Sequence, residues 1–272
     1  MAEKALLIDT SLCMGCRGCQ VACKQWWQQE AEVTTQTGTY QNPPDLTWKS
    51  WSVVRFQETE LNGKFAWLFA KDQCRHCADP MPCKLGCPND AISKNEFGGV
   101  VIDQSKCGDC DVGCADYCPY EVPKKELAED GTEYCRVFKC RMCADRLEAG
   151  KSPACAKTCP TGAISFGDKA DMVALAESRV TDLKAGGYAD ANIYPNTDGN
   201  SFWVLLTGND SYELTQFEDK VPADKKPQPT MLAGKSVLSP IGAAALVGGV
   251  ALGALKALSD RKDMLASEEE EA

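Results

Sequence analysis

The heptapeptide CPNDAIS, Cys87 to Ser93, is written again as CPTGAIS from Cys159 to Ser165. In both copies a proline directly follows a cysteine, and Ala-Ile then opens what reads as a new packed element. A second repeat lies upstream of other cysteines: Ile8-Asp9-Thr10-Ser11-Leu12-Cys13 returns as Ile102-Asp103-Gln104-Ser105-Lys106-Cys107. Repetition of this kind points to one structural unit built more than once. Proline has no N–H and a fixed φ, so it ends any helical turn that runs up to the preceding cysteine. Each copy therefore closes one half of a repeated unit.

Cysteine explains what the unit is for. The chain has 17 cysteines in 272 residues, and 16 of them fall into four runs of four. Cys13, Cys16, Cys19 and Cys23 follow C-x2-C-x2-C-x3-C, the ligand run of bacterial ferredoxins. Cys74, Cys77, Cys83 and Cys87 read C-x2-C-x5-C-x3-C-P. Cys107, Cys110, Cys114 and Cys118 read C-x2-C-x3-C-x3-C-P, and Cys140, Cys143, Cys155 and Cys159 read C-x2-C-x11-C-x3-C-P. A cubane cluster needs four thiolates in a tetrahedral array, and one tight C-x2-C loop supplies two of them while its N–H groups point at sulfur. Two competing readings fit less well. A disulfide scaffold is usually a short secreted chain, whereas here the count is odd and no leader pattern precedes Cys13. Zinc ribbons use two separated pairs, whereas the first run sets three ligands within seven residues.

In two-cluster ferredoxins the last cysteine of a run ligates the neighbouring cluster. The second and third runs are adjacent in sequence and pair naturally, leaving the first and fourth for each other. The expected sites are Cys13, Cys16, Cys19 with Cys159; Cys140, Cys143, Cys155 with Cys23; Cys74, Cys77, Cys83 with Cys118; and Cys107, Cys110, Cys114 with Cys87. Sequential pairing, first with second and third with fourth, is the other arrangement that spacing allows. Four 4Fe–4S clusters whose irons all have cysteine ligands carry electrons and leave no iron open to a substrate, so no catalytic residue is expected. Cys135 is left over and reads as a small buried hydrophobe.

The rest of the composition narrows the partners. A formal net charge of −10 offers no basic stripe for nucleic acid. The single histidine, His76, excludes most hydrolytic centres and reads as a group beside the ligands of the second run. Between Cys23 and Cys74 lie Trp26, Trp27, Trp48 and Trp51, expected to cover a cluster or an interface, and Asn62-Gly63, a hairpin turn signal. Beyond Ser165 the expectation is a helix at about Lys169 to Ala185, a strand at about Phe202 to Thr207, and a Pro- and Lys-rich linker. From Ser236 to Leu255 no charged residue occurs. That length reaches roughly 30 Å as a helix, enough for a bilayer core, and Gly249 with Gly253 has the spacing of packed membrane helices. Lys256, Arg261 and Lys262 then place the short tail in the cytoplasm and the cluster domain outside.

The runs CMGCRGCQVACKQW (Cys13 to Trp26) and KCRMCADRLEAGKSPACAKTCPTGAI (Lys139 to Ile164), followed by one membrane span, resemble the four-cluster iron-sulfur β subunit of membrane-bound formate dehydrogenases. That subunit belongs to the wider set of electron-transfer partners of molybdopterin oxidoreductases. The resemblance implies a catalytic α subunit with a molybdenum or tungsten pterin site, a membrane cytochrome b or quinone-reactive subunit, and export on the α subunit's twin-arginine signal. Similar subunits serve nitrate, polysulfide and dimethyl-sulfoxide reductases and membrane hydrogenases, so formate comes from the resemblance alone. The third run departs from the family pattern, with x3 where x2 is common. The expected fold is α+β: tandem two-cluster bacterial ferredoxin-like units over 1–165 with an insertion at 24–73, an extension and linker at 166–234, a transmembrane helix at 235–259 and an acidic tail at 260–272.

Overall fold

The computed structural model describes residues 2–108, 113–128, 130–212 and 214. The expected transmembrane helix at 235–259, the acidic tail and most of the linker lie outside the described residues, as does Cys110. Among the described residues no helix is long and apolar enough to cross a membrane.

In chain order the elements are β1 (Lys4–Asp9), α1 (Gly18–Trp26), β2 (Val53–Leu61), β3 (Lys64–Asp72), α2 (Pro82–Leu85), β4 (Ile92–Lys94), β5 (Val100–Ile102), β6 (Lys124–Leu127), β7 (Glu133–Phe138), α3 (Ala144–Glu148), α4 (Ala154–Thr158), β8 (Ile164–Asp168), α5 (Lys169–Ala185), β9 (Asn192–Tyr194) and β10 (Ser201–Leu205). The fold is a mixture of short helices and strands around the cysteine runs. Two antiparallel ribbons organise it. β1, which leads into the first run, pairs with β8, which follows the fourth, so that Ile8 faces Ile164. β5, which leads into the third run, pairs with β4, which follows the second, so that Ile92 faces Ile102. The two Ala-Ile repeats are therefore equivalent strand starts in equivalent ribbons. Their upstream partners match as well: the Asp9 and Asp103 carboxylates each accept a hydrogen bond from the backbone N–H two residues on, at Ser11 and Ser105, both at 2.9 Å. An aspartate there closes a small turn that turns the chain from strand to ligand loop.

The ribbon of β1 and β8 is extended into a four-stranded sheet of order β8-β1-β10-β9. β10 runs parallel to β1, with Leu6 opposite Ser201 and Ile8 opposite Trp203. Both central strands are buried on both faces, which is why neither shows alternating polarity. Ala5, Leu7, Phe202 and Val204 face α5 through Ala176 and Leu183. Leu6, Ile8, Trp203 and Leu205 face the other way, toward Cys19 and Cys155. The segment after Ser165 is thus built into the centre of the sheet. Its helix and strand fall where the sequence places them.

The Asn62-Gly63 hairpin forms between β2 and β3, with φ of 53° and 72° at the turn. Two consecutive residues at positive φ are what a type I′ turn requires. Only the base of this hairpin is buried, through Val53, Val54, Leu68 and Ala70; Phe65 near its tip is exposed.

The C-terminal extension is also laced to the second run. Asn200 donates its backbone N–H to the His76 carbonyl at 2.9 Å, and Ser201 donates to the Arg75 carbonyl at 3.1 Å. The approach depends on Gly199, where a Cβ would stand 2.9 Å from the Arg75 carbonyl oxygen and 3.3 Å from that of His76. The obstacle is backbone, so it cannot swing aside. Gly199→Ala should destabilise the loaded protein by about 1–3 kcal/mol and lower its thermal unfolding midpoint. Val33→Ala, at a fully exposed side chain, should change stability by less than about 0.5 kcal/mol.

Candidate functional site: four thiol-lined chambers

The helices carry the cysteines in pairs one turn apart. α1 holds Cys19 and Cys23, both buried on one side of the helix. α4 holds Cys155 and ends on Cys159, whose extended conformation, ψ 112°, is the one imposed by Pro160. Cys83 lies in α2 with Cys87 just past its end. In two-cluster ferredoxins the last cysteine of a run, one helical turn beyond the third, ligates the neighbouring cluster, which leaves each site one cysteine short from its own run. The chain resolves this by exchange.

The first chamber is lined by Cys13, Cys16 and Cys19 from the first run and by Cys159 from the fourth. The second is marked by its thiols alone: Cys23 stands within electrostatic reach of Cys140, Cys155 and Cys143. The third is lined by Cys74, Cys77 and Cys83 with Cys118. Cys87, Cys107 and Cys114 line the fourth. Among the described residues each last cysteine lies with leading cysteines of the other run, in keeping with the strand ribbons. Sequential pairing of the runs is not what the described thiols adopt. Cys135 also lines the fourth chamber. Strand alternation in β7 puts it on the same face as buried Val137, a placement that spacing alone could not reveal.

No disulfide joins the described cysteines. Among the described residues no three His, Cys, Asp or Glu side chains converge as they would on a single ion. The thiols surround chambers instead, which suits a multi-atom cluster better than a lone zinc. The loops between paired cysteines are held in left-handed conformations at Gly15, Arg17, His76, Met142 and Cys143, with φ between 48° and 68°. For the four non-glycine residues this costs about 1 kcal/mol each and turns backbone N–H groups inward. The His76 N–H reaches the Cys74 sulfur at 3.4 Å, and the Ala91 N–H reaches that of Cys87 at 3.3 Å.

Electrostatics support the same reading. Burial, reinforced by neighbouring thiolates, pushes the Cys19, Cys77 and Cys143 thiols up to about 12. Empty, these thiols keep their protons at neutral pH, so loading must displace them. Lys71 and Lys139 are each only 2% exposed. Burial acts to lower both ammonium groups, yet the surrounding cysteines raise them: Cys155, Cys19, Cys140 and Cys23 around Lys71, and Cys74, Cys83 and Cys140 around Lys139. His76 is fully buried; its Nδ1 accepts from the Val100 N–H at 2.9 Å, which leaves the proton on Nε2. Nε2 has no oxygen or nitrogen acceptor and is turned to the Cys140 sulfur. Two buried cations and one orphaned donor, all directed at cysteines, fit thiolate ligands around an anionic iron-sulfur group.

Asp72 is satisfied separately. It accepts from Arg75 at 2.5 Å and from Arg55 at 2.8 and 3.1 Å, while the Arg75 guanidinium lies over the Tyr120 and Trp203 rings. The tryptophans of the insertion pack on one another and on residues beside the fourth run. Trp27 packs on Trp51 at 5.4 Å, Trp48 and Trp51 meet Phe138, and Arg141 and Arg146 lie over Trp27 and Trp26.

The model of the 4Fe–4S dicluster domain matches residues 65–169. The iron-sulfur subunit of the nitrate-inducible formate dehydrogenase of Escherichia coli is 42% identical over 252 residues, covering 90% of this chain and 81% of its own. The formate dehydrogenase subunit beta of Megalodesulfovibrio gigas is 43% identical over 200 residues, 70% of this chain and 88% of its own. Formate dehydrogenase 2 subunit beta (cytochrome c-553) of Nitratidesulfovibrio vulgaris is 38% identical over 216 residues, 77% and 96% of the two chains. This likeness, with the dicluster domain, supports an electron-transfer role beside a catalytic subunit. The chain belongs to the family of formate dehydrogenase iron-sulfur (beta) subunits.

Proposed function

We propose that the chain is a non-catalytic relay carrying four 4Fe–4S clusters, one in each chamber, between a molybdenum or tungsten catalytic subunit that handles formate and a membrane cytochrome b or quinone-reactive partner. The observation that carries this reading is the reciprocal exchange of last cysteines between runs 1 and 4 and between runs 2 and 3. Only a pair of neighbouring sites needs that exchange. By its place in the third run, Cys110, outside the described residues, would complete the fourth set of ligands.

Bound clusters would supply one-electron carriers whose potentials depend on charge and hydrogen bonding at the sulfurs. The protein's own part is to place them in sequence and keep water out. Lys71 borders the first and second chambers, and Lys139 with His76 borders the second and third. The third and fourth share their runs. This gives the order first, second, third, fourth. Cys16 is exposed at the first chamber, which puts one end of the series at the surface. The uncharged Ser236 to Leu255 stretch supports a membrane contact at 235–259, and the basic residues after it support a cytoplasmic tail with the cluster domain outside.

The complex purified without oxygen should contain the catalytic and membrane subunits, and this chain should bring about sixteen iron atoms and as many sulfides. Zinc in place of iron would overturn the proposal. Cys159→Ala should remove or convert the cluster held by Cys13, Cys16 and Cys19, and leave that of Cys140, Cys143 and Cys155 intact. Loss confined to the second of these, read by electron paramagnetic resonance, would overturn the ligand assignment.

A further inference from the structure

Charged side chains are almost never fully buried without a partner, because removing an ion from water costs several kcal/mol even after relaxation. Lys71 and Lys139 break that rule together. Among the described residues neither ammonium has a carboxylate within ion-pair distance. Asp72, next to Lys71 in sequence, is taken by Arg55 and Arg75. Both lysines are instead bound to neutral oxygens. Lys71 Nζ donates to Gln73 Oε1, and Lys139 Nζ donates to the Val100 carbonyl at 2.5 Å and the Cys140 carbonyl at 3.2 Å.

Their positions are as telling as their burial. Lys71 lines the first chamber beside Cys13, Cys16, Cys19 and Cys159. Through Gln73 Oε1, which also stands 3.9 Å from the Cys140 sulfur, it reaches the second. Lys139 lines the third chamber beside Cys74, Cys77, Cys83 and Cys118, and its neighbour in sequence, Cys140, belongs to the second. Each lysine therefore lies at a boundary between two chambers.

We infer that Lys71 and Lys139 are shared counter-cations, each placed so that one ammonium sets the reduction potentials of the two clusters flanking it. This rests on the relay reading above. An electron arriving at either flanking site adds negative charge, which the ammonium stabilises across a medium of low dielectric. One cation between two sites holds their potentials high together, so that neither becomes a trap relative to its neighbour. The lysines are positioning residues: they bind no substrate and move no electron.

The test is a redox titration of the intact complex, followed by electron paramagnetic resonance, with iron counted in every sample. Lys71→Met keeps much of the volume and removes the charge. It should leave the iron content unchanged and move two cluster signals to more negative potential. Lys139→Met should also move two, one of them in common with Lys71→Met, namely the second-chamber cluster. Lys184→Met, on the exposed side of α5, should move none. If Lys71→Met loses iron, Lys71→Arg decides: restored iron and wild-type potentials uphold the charge role, whereas loss in both overturns it. Full iron with unmoved potentials, or a shift confined to one cluster, overturns this inference alone. A wild-type chain without iron would overturn the relay reading and this inference with it.

Discussion

The structure depends on one geometric constraint: four sulfurs must surround each site, and the last cysteine of a run is aimed away from the first three, toward the neighbouring site. Every run therefore needs a partner run. The two antiparallel ribbons meet that need by bringing Ile8 against Ile164 and Ile92 against Ile102. The first of these closes a loop of more than 150 residues, so its ordering entropy must be offset by burial elsewhere. The sheet built on it, with Leu6, Ile8, Trp203 and Leu205 facing the cysteines, provides that burial.

The second theme is charge balance in a dry interior. Cysteine thiolates and the iron-sulfur groups they would hold are anionic, and the protein places two buried lysines and a histidine donor among the cysteines, while Arg55 and Arg75 pair with Asp45 and Asp72. The Asp72-paired Arg75 also lines the third chamber, beside Lys139.

Much of this was legible in the sequence, and for physical reasons. Cys-Pro and C-x2-C are short-range geometric demands, so the runs and the strand starts at Ile92 and Ile164 follow from spacing, whereas which run exchanges with which is settled by the strand ribbons. Asn62-Gly63 and the helix of Lys169 to Ala185 carry equally local signals. The parallel pairing of β10 with β1 was not legible, because it joins segments nearly 200 residues apart and leaves no turn signature between them. Nor were Lys71 and Lys139: in FAKD and VFKC a lysine looks like an ordinary strand charge, and only their burial in the folded chain, at 2% exposure each, shows that they are sealed from water. Cys135 was misjudged in part for the same reason, since facing a chamber is a property of β7 and its neighbours.

The central claim is that the thiols hold iron-sulfur cubanes, and anomalous diffraction from crystals of the anaerobically purified complex tests it most directly. Data collected on either side of the iron absorption edge should place four compact peaks in this subunit, one inside each chamber. Peaks at the zinc edge instead, or chambers without anomalous signal in iron-loaded crystals, would contradict the account.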